Sequence, residues 1–474
     1  MAKIVFLQYI WFEWVGIMSI SALLKKHGHS CEVIIGSKKE TLAELQKINP
    51  DIIAISSMTS QHEQIYDLAK AIKKVGLKGV MIVGGAHPTF FPQMIERPGI
   101  DIICRGEGEY PMLELAEAID QGKDYSQIKN LWVKKDGNII KNEIRSLIED
   151  LDSLPLPDRD LYNKYPKYFK NKTFETFIVS RGCPFQCTFC FNHSYKKIYQ
   201  GKGRFVRFNS VDRVIEEIKY VTKKYNSKSV VFADSTFNIN KPWLLELLRR
   251  YKEEKIPVPF TCNFRADLVD EEIVRAVADT KKCSLIRFGV ESGNEELRNT
   301  VLKKGLTDKQ LFNAAKLFKR YNIKFFCYAM MGLPGETVEN ALETIDILRK
   351  LDSYGVDIGV YMAYPRLELT EYAIKNGLMT DKDYWKLSVN PYRFYMSIFK
   401  QKDIVKVCNL HKFSIVLIKM PFLLPIVKQL IKLKNNFAFN TVYLVTQAYY
   451  WKKASNASLP RIMKEIYYNF KRMA

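Results

Sequence analysis

The amino-acid sequence predicts an α/β protein in which two parallel-sheet units are followed by a mostly helical C-terminal region. Short apolar runs alternate with amphipathic helical stretches from about residue 3 to residue 121, and six further strand-then-helix units begin at Phe177. Beyond Gly377 the alternation stops, and the chain becomes basic and aromatic. Continuous apolar strands separated by helices are typical of parallel sheets that are covered on both faces.

The length and composition agree with this fold class. The chain has 474 residues, of which 47% are hydrophobic and 26% are charged. At roughly 150 residues per domain it has room for about three domains with a core, which excludes a disordered tail, a collagen and a small disulfide scaffold. We predict a doubly wound, Rossmann-like domain at residues 1–125, a linker at 126–170, a partial (β/α)6 barrel of the TIM type at 171–375 and a basic helical region at 376–474.

Five apolar runs predict the strands of the N-terminal domain. They are Ile4–Leu7, Cys31–Ile35, Asp51–Ile55, Gly79–Val83 and Ile100–Ile103. Helical periodicity fills the intervals, as in Gln64–Lys74. Because an open parallel sheet binds its ligands at the carboxyl ends of its strands, we expect the residues that follow these runs to contact a ligand.

Six more runs predict the strands of the barrel. They are Thr176–Val179, Ser229–Ala233, Val258–Asn263, Leu285–Val290, Lys324–Met331 and Val356–Ala363. The segment before the barrel has a hairpin signal at Asp136-Gly137 and a proline-containing stretch at Leu154–Asp158, which favour turns and connecting chain. A β/α barrel has its active face at the carboxyl ends of its strands.

A cysteine-rich loop follows the first barrel strand. Nine cysteines in 474 residues are too few for a disulfide framework, yet Cys183, Cys187 and Cys190 lie within eight residues. This pattern indicates metal binding in a reducing compartment. Three thiolates can hold three corners of a cubane iron-sulfur cluster and leave one metal position open for another ligand. A structural zinc site, with His193 as the fourth ligand, is the alternative.

The C-x3-C-x2-C spacing, with Phe189 before the last cysteine, resembles the radical S-adenosylmethionine (SAM) superfamily. The resemblance implies a 4Fe-4S cluster bound by Cys183, Cys187 and Cys190. It also implies that SAM chelates the fourth iron through its amino and carboxylate groups. Reductive cleavage of SAM would then give methionine and a 5'-deoxyadenosyl radical.

Later strand ends also resemble motifs of this superfamily. The matching segments are Val231–Phe237, Cys262–Asp267, Phe288–Gly293 and Met331–Thr337. The resemblance implies SAM contacts at Phe189, Asp234, Arg265, Glu291, Ser292, Gly332 and Gly335. Asp234 or Glu291 can accept bonds from an ammonium group or ribose hydroxyls, and Arg265 can pair with a carboxylate. The sixth segment, Tyr364–Glu368, departs from the usual Pro-Gly-Thr, so we predict no adenine contact there.

The N-terminal domain resembles the cobalamin-binding domain that precedes the barrel in one large radical SAM subfamily. The matching features are Gly16, Leu23–His29, Pro50–Thr59, Gly84–Thr89 and Arg105–Glu109. The resemblance implies cobalamin contacts at Ser56, Thr59, Gly84, Gly85, His87, Gly106, Glu107 and Gly108. The Asp-x-His-x-x-Gly motif that supplies a cobalt ligand elsewhere does not occur in this sequence. We therefore expect His87 to bond the corrin amides or to shape its turn, and a domain that has lost its ligand is the alternative.

The resemblance covers about residues 3–375 and predicts a cobalamin-dependent radical SAM enzyme. Its implied reaction is methylation of an unactivated carbon in a small-molecule or lipid-like substrate, with an electron donor such as flavodoxin or ferredoxin. Radical cyclisation or rearrangement, RNA modification of the methylthiotransferase type and a non-catalytic sensor are alternatives. The N-terminal domain has only Cys31 and Cys104 and lacks a second cysteine triad, which argues against the methylthiotransferases. No nucleic-acid partner is predicted.

The C-terminal region carries much of the excess positive charge. The net charge is +22, and residues 401–474 hold 13 basic and 2 acidic side chains. Apolar, aromatic and lysine residues are combined in Phe413–Lys419, Pro421–Lys428 and Tyr449–Lys453. This pattern favours peripheral attachment to an anionic membrane, and a helical cap over the barrel mouth is the alternative. No uncharged apolar stretch reaches the roughly 18 residues of a membrane span, and we predict a cytoplasmic protein.

Overall fold

The computed structural model of the protein describes residues 1–169, 174–383 and 396–455. It contains two compact units. The first comprises residues 1–172 together with 199–209, and the second comprises 173–198 together with 210–474. The segment predicted as a linker thus lies in the first unit, and so does a short stretch that follows the cysteine loop in sequence.

The first unit is built on a seven-stranded sheet with the order β2-β1-β3-β4-β5-β6-β7. The strands are β1 (Lys3–Gln8), β2 (Ser30–Ile35), β3 (Ile52–Ser56), β4 (Val80–Gly84), β5 (Ile102–Cys104), β6 (Leu131–Lys135) and β7 (Asn138–Lys141). The helices are α1 (Val15–Lys26), α2 (Lys38–Ile48), α3 (His62–Lys74), α4 (Ala86–Phe90), α5 (Glu109–Asp120) and α6 (Pro166–Phe169). The five predicted strands are confirmed as a parallel set. The predicted hairpin is confirmed as β6 and β7, which extend this sheet in antiparallel fashion.

Burial on both faces explains the continuous apolar strands. Along β1, Ile4 and Phe6 belong to one apolar cluster, whereas Val5 and Leu7 belong to another. Successive side chains of a strand point to opposite faces, so positions 4 to 7 of β1 all have to be apolar. The carboxyl ends of β3, β4 and β5 then lie along one edge of the sheet.

The second unit contains a six-stranded parallel sheet with the order β15-β14-β13-β12-β11-β8. Its strands are β8 (Glu175–Phe177), β11 (Val230–Phe232), β12 (Phe260–Phe264), β13 (Cys283–Glu291), β14 (Phe325–Met331) and β15 (Gly355–Val360). Two further strands have only two residues each: β9 (Ser180–Arg181) lies in this unit, and β10 (Arg207–Phe208) lies in the first unit. The helices are α7 (Phe191–Ile198), α8 (Val211–Tyr225), α9 (Lys241–Glu253), α10 (Glu271–Asp279), α11 (Glu295–Thr300), α12 (Asp308–Arg320), α13 (Val338–Leu351) and α14 (Glu368–Lys375). All six predicted strands are confirmed, and β8 and β15 are the edges of a partial barrel.

Three C-terminal helices complete the second unit. They are α15 (Ile404–Lys419), α16 (Leu424–Leu430) and α17 (Phe437–Ser455). Helix α15 packs into the barrel core, and its His411 Nε2 lies 2.6 Å from the carbonyl oxygen of Ile358 in β15. Helices α15 and α17 pack against the edge strand β15, which would otherwise expose unpaired backbone groups. Within the part of the chain that the structure describes, no helix has both the length and the apolarity to cross a bilayer.

Candidate cofactor sites

The cysteine loop lies between β8 and α7. Cys183 and Cys187 are buried, Cys190 is partly buried, and none of the three forms a disulfide. Burial raises the pKa of the Cys187 thiol, while Lys304 and Arg265 act in the opposite direction. Three soft donors on one loop, with two cations beside them, fit a cluster held by three thiolates.

The zinc alternative requires a fourth ligand from His193. That side chain is instead engaged with a carboxylate, since its Nε2 lies 2.7 Å from Glu368 Oε2. Lys197 and Lys303 donate to the same carboxylate. Burial raises the pKa of Glu368, but these three partners outweigh it and lower the pKa to about 2. Among residues 1–169, 174–383 and 396–455, no three His, Cys, Asp or Glu side chains form a group that could hold a single metal ion. The pairing of His193 with Glu368 argues against this side chain as a fourth zinc ligand.

Asp234 holds the start of the cysteine loop. Its Oδ1 accepts hydrogen bonds from the backbone N–H of Val179 at 3.0 Å and of Ser180 at 2.6 Å, and from the Ser180 hydroxyl at 2.5 Å. Burial raises the pKa of Asp234 to about 6 against the effect of these bonds. Its Oδ2 is buried and accepts no hydrogen bond from any described residue. The predicted SAM contact is thus a positioning residue that retains one buried acceptor atom.

Thr188 fastens the second half of the loop. Its backbone N–H donates to the carbonyl of Leu302 at 3.1 Å, and its hydroxyl donates to the carbonyl of Val301 at 2.8 Å. The N–H of Leu369 donates to the Thr188 carbonyl at 3.0 Å. The residues between the cysteines are therefore held at both sides by the barrel's own loops.

Arg265 faces the cysteine loop from the end of β12. Its guanidinium lies 3.6 Å from the centre of the Phe185 ring, and its Nη1 lies 3.7 Å from Cys187 Sγ. The same group forms an ion pair with Asp267 at 2.7 Å and donates to the carbonyl of Lys304. Arg265, which the sequence predicts as the partner of the SAM carboxylate, thus places its positive charge beside the Cys187 thiol in this structure.

Glu291 and Lys304 form a mostly buried ion pair at the end of β13. Lys304 Nζ lies 2.8 Å from Glu291 Oε1 and 5.9 Å from the centre of the Phe189 ring. Gly289 leaves the space for this carboxylate, because a Cβ at Gly289 would lie 1.9 Å from Glu291 Oε1. The structure therefore brings two predicted SAM contacts, Phe189 and Glu291, together around a lysine that the sequence motifs did not identify.

The remaining predicted SAM contacts have polar atoms engaged within the chain. Ser292 is fully buried, and its hydroxyl accepts from the N–H of Asn294 at 3.3 Å. The N–H of Gly332 donates to Glu336 Oε2 at 2.5 Å, and the N–H of Gly335 donates to Gln401 Oε1 at 2.9 Å. Hydrogen bonds to Glu336 and to Gln401 from the C-terminal region thus hold the end of β14 in place.

In the first unit, the residues that follow β3 and β4 contact one another. Gly84 and Gly85 lie beside Ser56, and a Cβ at Gly85 would lie 2.8 Å from Ser56 Oγ. His87 is buried, and its Nδ1 lies 3.2 Å from Thr59 Oγ1. Burial and the neighbouring His62 lower the pKa of His87 to about 3, so the ring is neutral. His87 thus joins the loop after β4 to the loop after β3.

The Gly106–Gly108 loop after β5 is organised around Glu107. The Glu107 carboxylate lies 2.9 and 3.1 Å from the guanidinium nitrogens of Arg207 and accepts from the N–H of Ile148 at 3.0 Å. The N–H of Glu107 donates to the Tyr199 hydroxyl at 2.9 Å, and Gly106 leaves room for that hydroxyl. The predicted cobalamin contact at Glu107 thus anchors residues 199–209.

We expect Gly85→Ala to disrupt this loop region. Gly85 has φ +97°, and a Cβ would also lie 2.9 Å from the backbone nitrogen of Ser57. The expected cost is roughly 1–3 kcal/mol of unfolding free energy, with reduced cobalamin content. The matched control is Gly122→Ala, because Gly122 has φ +64° but nothing within 4 Å of an added Cβ. Equal cobalamin content and equal denaturation midpoints for the two variants would contradict the steric argument.

Two family models match the chain. The model of the radical SAM superfamily matches residues 177–348, and the model of the B12 binding domain matches residues 11–116. An uncharacterized methyltransferase of Pyrococcus horikoshii is 30% identical over 380 residues, which cover 78% of this chain and 81% of that protein. An anaerobic magnesium-protoporphyrin IX monomethyl ester cyclase of Rubrivivax gelatinosus is 27% identical over 374 residues, which cover 75% of this chain and 65% of the cyclase.

A solved structure shares the fold. The radical SAM methyltransferase TsrM of Kitasatospora setae, with cobalamin and a [4Fe-4S] cluster bound, superposes with a TM-score of 0.66 at 17% identity. The superposition covers 81% of this chain and 80% of that one. It supports the succession of a doubly wound domain and a partial barrel that the strand orders describe.

Proposed function

We propose that this chain, which belongs to the radical SAM proteins with an N-terminal cobalamin-binding domain, methylates an unactivated carbon of a small-molecule or lipid-like substrate. Its cofactors are SAM, a 4Fe-4S cluster and cobalamin. The observation that carries the proposal is the loop of three free thiols between β8 and α7, flanked by Arg265 and Lys304. When bound, the cofactors supply the electron, the radical and the methyl group, and the protein supplies binding and orientation.

We assign Cys183, Cys187 and Cys190 to the cluster. Positive charge near a thiol favours its thiolate, so Arg265 and Lys304 support metal binding at this loop. Asp234 orients the loop through Val179 and Ser180 and would accept from SAM with its second carboxylate oxygen. Lys304 balances the negative charge of Glu291 before SAM binds. The Glu291 carboxylate would still accept a hydrogen bond from SAM.

We assign the loops after β3, β4 and β5 to cobalamin. Gly85 and Gly106 leave the space that Ser56 and Tyr199 occupy. We assign Gly84 and Gly108 to close approach of backbone to a bulky ligand, and Ser56 and Thr59 to its hydrogen bonds. His87 and Glu107 act in this proposal as positioning residues, because their described partners are Thr59, Arg207 and Ile148. We thus propose that residues of this chain hold two sets of loops in position, one for the cluster and SAM and one for cobalamin, and keep bulk water away from them.

We propose two partners for the enzyme, an electron-donor protein and a membrane surface. A flavodoxin or ferredoxin would deliver the electron, as the reductive cleavage of SAM needs a donor of low potential. The basic C-terminal region would hold the enzyme at the cytoplasmic face of a membrane, where a lipid-like substrate resides. Apolar side chains and lysines together support attachment to an anionic surface.

The test of methyl transfer uses SAM labelled in its methyl group. Anaerobically reconstituted protein is incubated with reductant and a lipid and small-molecule extract, and the products are resolved by mass. We expect 5'-deoxyadenosine together with a labelled product. Deoxyadenosine without label transfer would contradict methylation and would favour a cyclase or rearrangement, which the sequence similarity to the Rubrivivax gelatinosus cyclase supports as the second candidate.

A further inference from the structure

The segment that connects α15 to α17 exposes an unusual amount of apolar surface. Phe422, Ile426, Leu433 and Phe437 are 70%, 58%, 53% and 85% exposed. They follow one another within 16 residues, whereas single exposed apolar residues are the ordinary case. We call residues 419–437 the docking segment.

The inner side of the docking segment is held by polar bonds as well as by Val427 and Ile431, which are buried in the barrel core. Asn409 and Lys412 of α15 are almost fully buried. Asn409 Nδ2 donates to the carbonyls of Ile431 at 3.1 Å and Leu433 at 2.8 Å, and Lys412 Nζ donates to Asn435 Oδ1. These bonds fix residues 431–435 to α15 and satisfy the buried side-chain nitrogens of Asn409 and Lys412. The segment is therefore anchored on its inner side, and it still exposes large apolar side chains on its outer side.

The charge of the docking segment has one sign. Lys419, Lys428, Lys432 and Lys434 are exposed, and the sequence has no acidic residue from 404 to 464. A cationic partner is disfavoured by this charge, and an anionic partner is favoured. Lysines next to exposed aromatic and aliphatic side chains match the boundary between anionic headgroups and acyl chains.

We propose that the docking segment binds the surface of an anionic phospholipid bilayer. Phe422, Ile426, Leu433 and Phe437 enter the boundary between headgroups and acyl chains, and the four lysines meet the phosphates. The inference rests on the proposed function only for its lipid-like substrate, because binding to the bilayer needs no turnover. It names the residues that bring such a substrate within reach of the enzyme.

The experiment is flotation of the full-length, cofactor-loaded protein with vesicles. One vesicle preparation is phosphatidylcholine alone, and the other contains equal parts of phosphatidylcholine and phosphatidylglycerol. We expect flotation with the anionic vesicles, and a loss of about tenfold in bound fraction for the double variant Phe422→Ala, Phe437→Ala. The control is Tyr372→Ala, whose side chain is also exposed, on α14.

The lysines are tested separately. The triple variant Lys428→Gln, Lys432→Gln, Lys434→Gln is expected to lose both most of the binding and its sensitivity to salt. The matched control is Lys223→Gln, Lys316→Gln, Lys375→Gln, which removes the same charge from exposed positions elsewhere in the second unit.

Three outcomes overturn the proposal. The first is flotation that the docking-segment variants leave unchanged. The second is equal flotation with both kinds of vesicle. The third is self-association without vesicles that Phe422→Ala, Phe437→Ala abolishes, since the segment would then pair two copies of the chain. Protein that floats but transfers no methyl group contradicts the proposed methyl transfer alone. Protein that transfers methyl without floating contradicts the docking and the membrane attachment, and leaves the proposed methyl transfer unaffected.

Discussion

Replacing Cys187 with alanine is expected to remove the iron-sulfur cluster and to reduce SAM cleavage to background. Cys187 is a buried free thiol beside Arg265, and a cubane held by three protein sulfurs cannot keep its geometry with two. The measurements are iron and sulfide content, the visible absorption of anaerobically purified protein, and formation of 5'-deoxyadenosine. Cys183→Ala and Cys190→Ala are expected to behave in the same way.

The control for this prediction is Cys327→Ala. Cys327 is equally free and more deeply buried, but it lies within β14 and away from the cysteine loop. We expect this variant to keep its iron and its SAM cleavage. Zinc in place of iron in the anaerobically purified protein, or SAM cleavage that survives Cys187→Ala, would contradict the cluster assignment.

The fold could be predicted from the sequence because its strands are covered on both faces. Ile52–Ser56 and its neighbours form continuous apolar runs, and every such run became a strand of the predicted sheet. The attachment of β6 to β5 could not be predicted in this way. A hairpin signal at Asp136-Gly137 identifies two strands, but their pairing with Ile102–Cys104 depends on tertiary packing.

The sequence predicts the part of the candidate site whose residues lie close together in the chain. The cysteine spacing identifies a loop, whereas the partners of that loop come from distant positions. Arg265 is 78 residues from Cys187, and Arg207 is 100 residues from Glu107. Lys304 stands in an ordinary Lys-Lys-Gly stretch with no motif to distinguish it. A strand-end motif thus indicates where Asp234 or Arg265 lies in the sheet, but not which group it faces.

Arg207→Met is expected to destabilise the first unit by roughly 3–5 kcal/mol, because it leaves the Glu107 carboxylate buried without its cation. The side chains of Arg207 and Glu107 are only 3% and 14% exposed. The measurement is the denaturation midpoint of the first unit. Arg204→Met is the matched control three residues away, since the Arg204 side chain pairs with Glu149 while 78% exposed. Surface pairs of this kind contribute little.

A double replacement tests whether Glu107 acts through its ion pair with Arg207 or by contacting cobalamin directly. Glu107→Met, Arg207→Met removes both charges, and we expect it to recover much of the stability that Arg207→Met loses, since apolar replacement of a whole buried pair is often neutral. Cobalamin content is then measured at a concentration of denaturant where all variants are folded. If Glu107 acts by anchoring residues 199–209, the double variant binds cobalamin better than Arg207→Met. If it instead contacts the corrin directly, Arg207→Met keeps the cofactor and the double variant loses it.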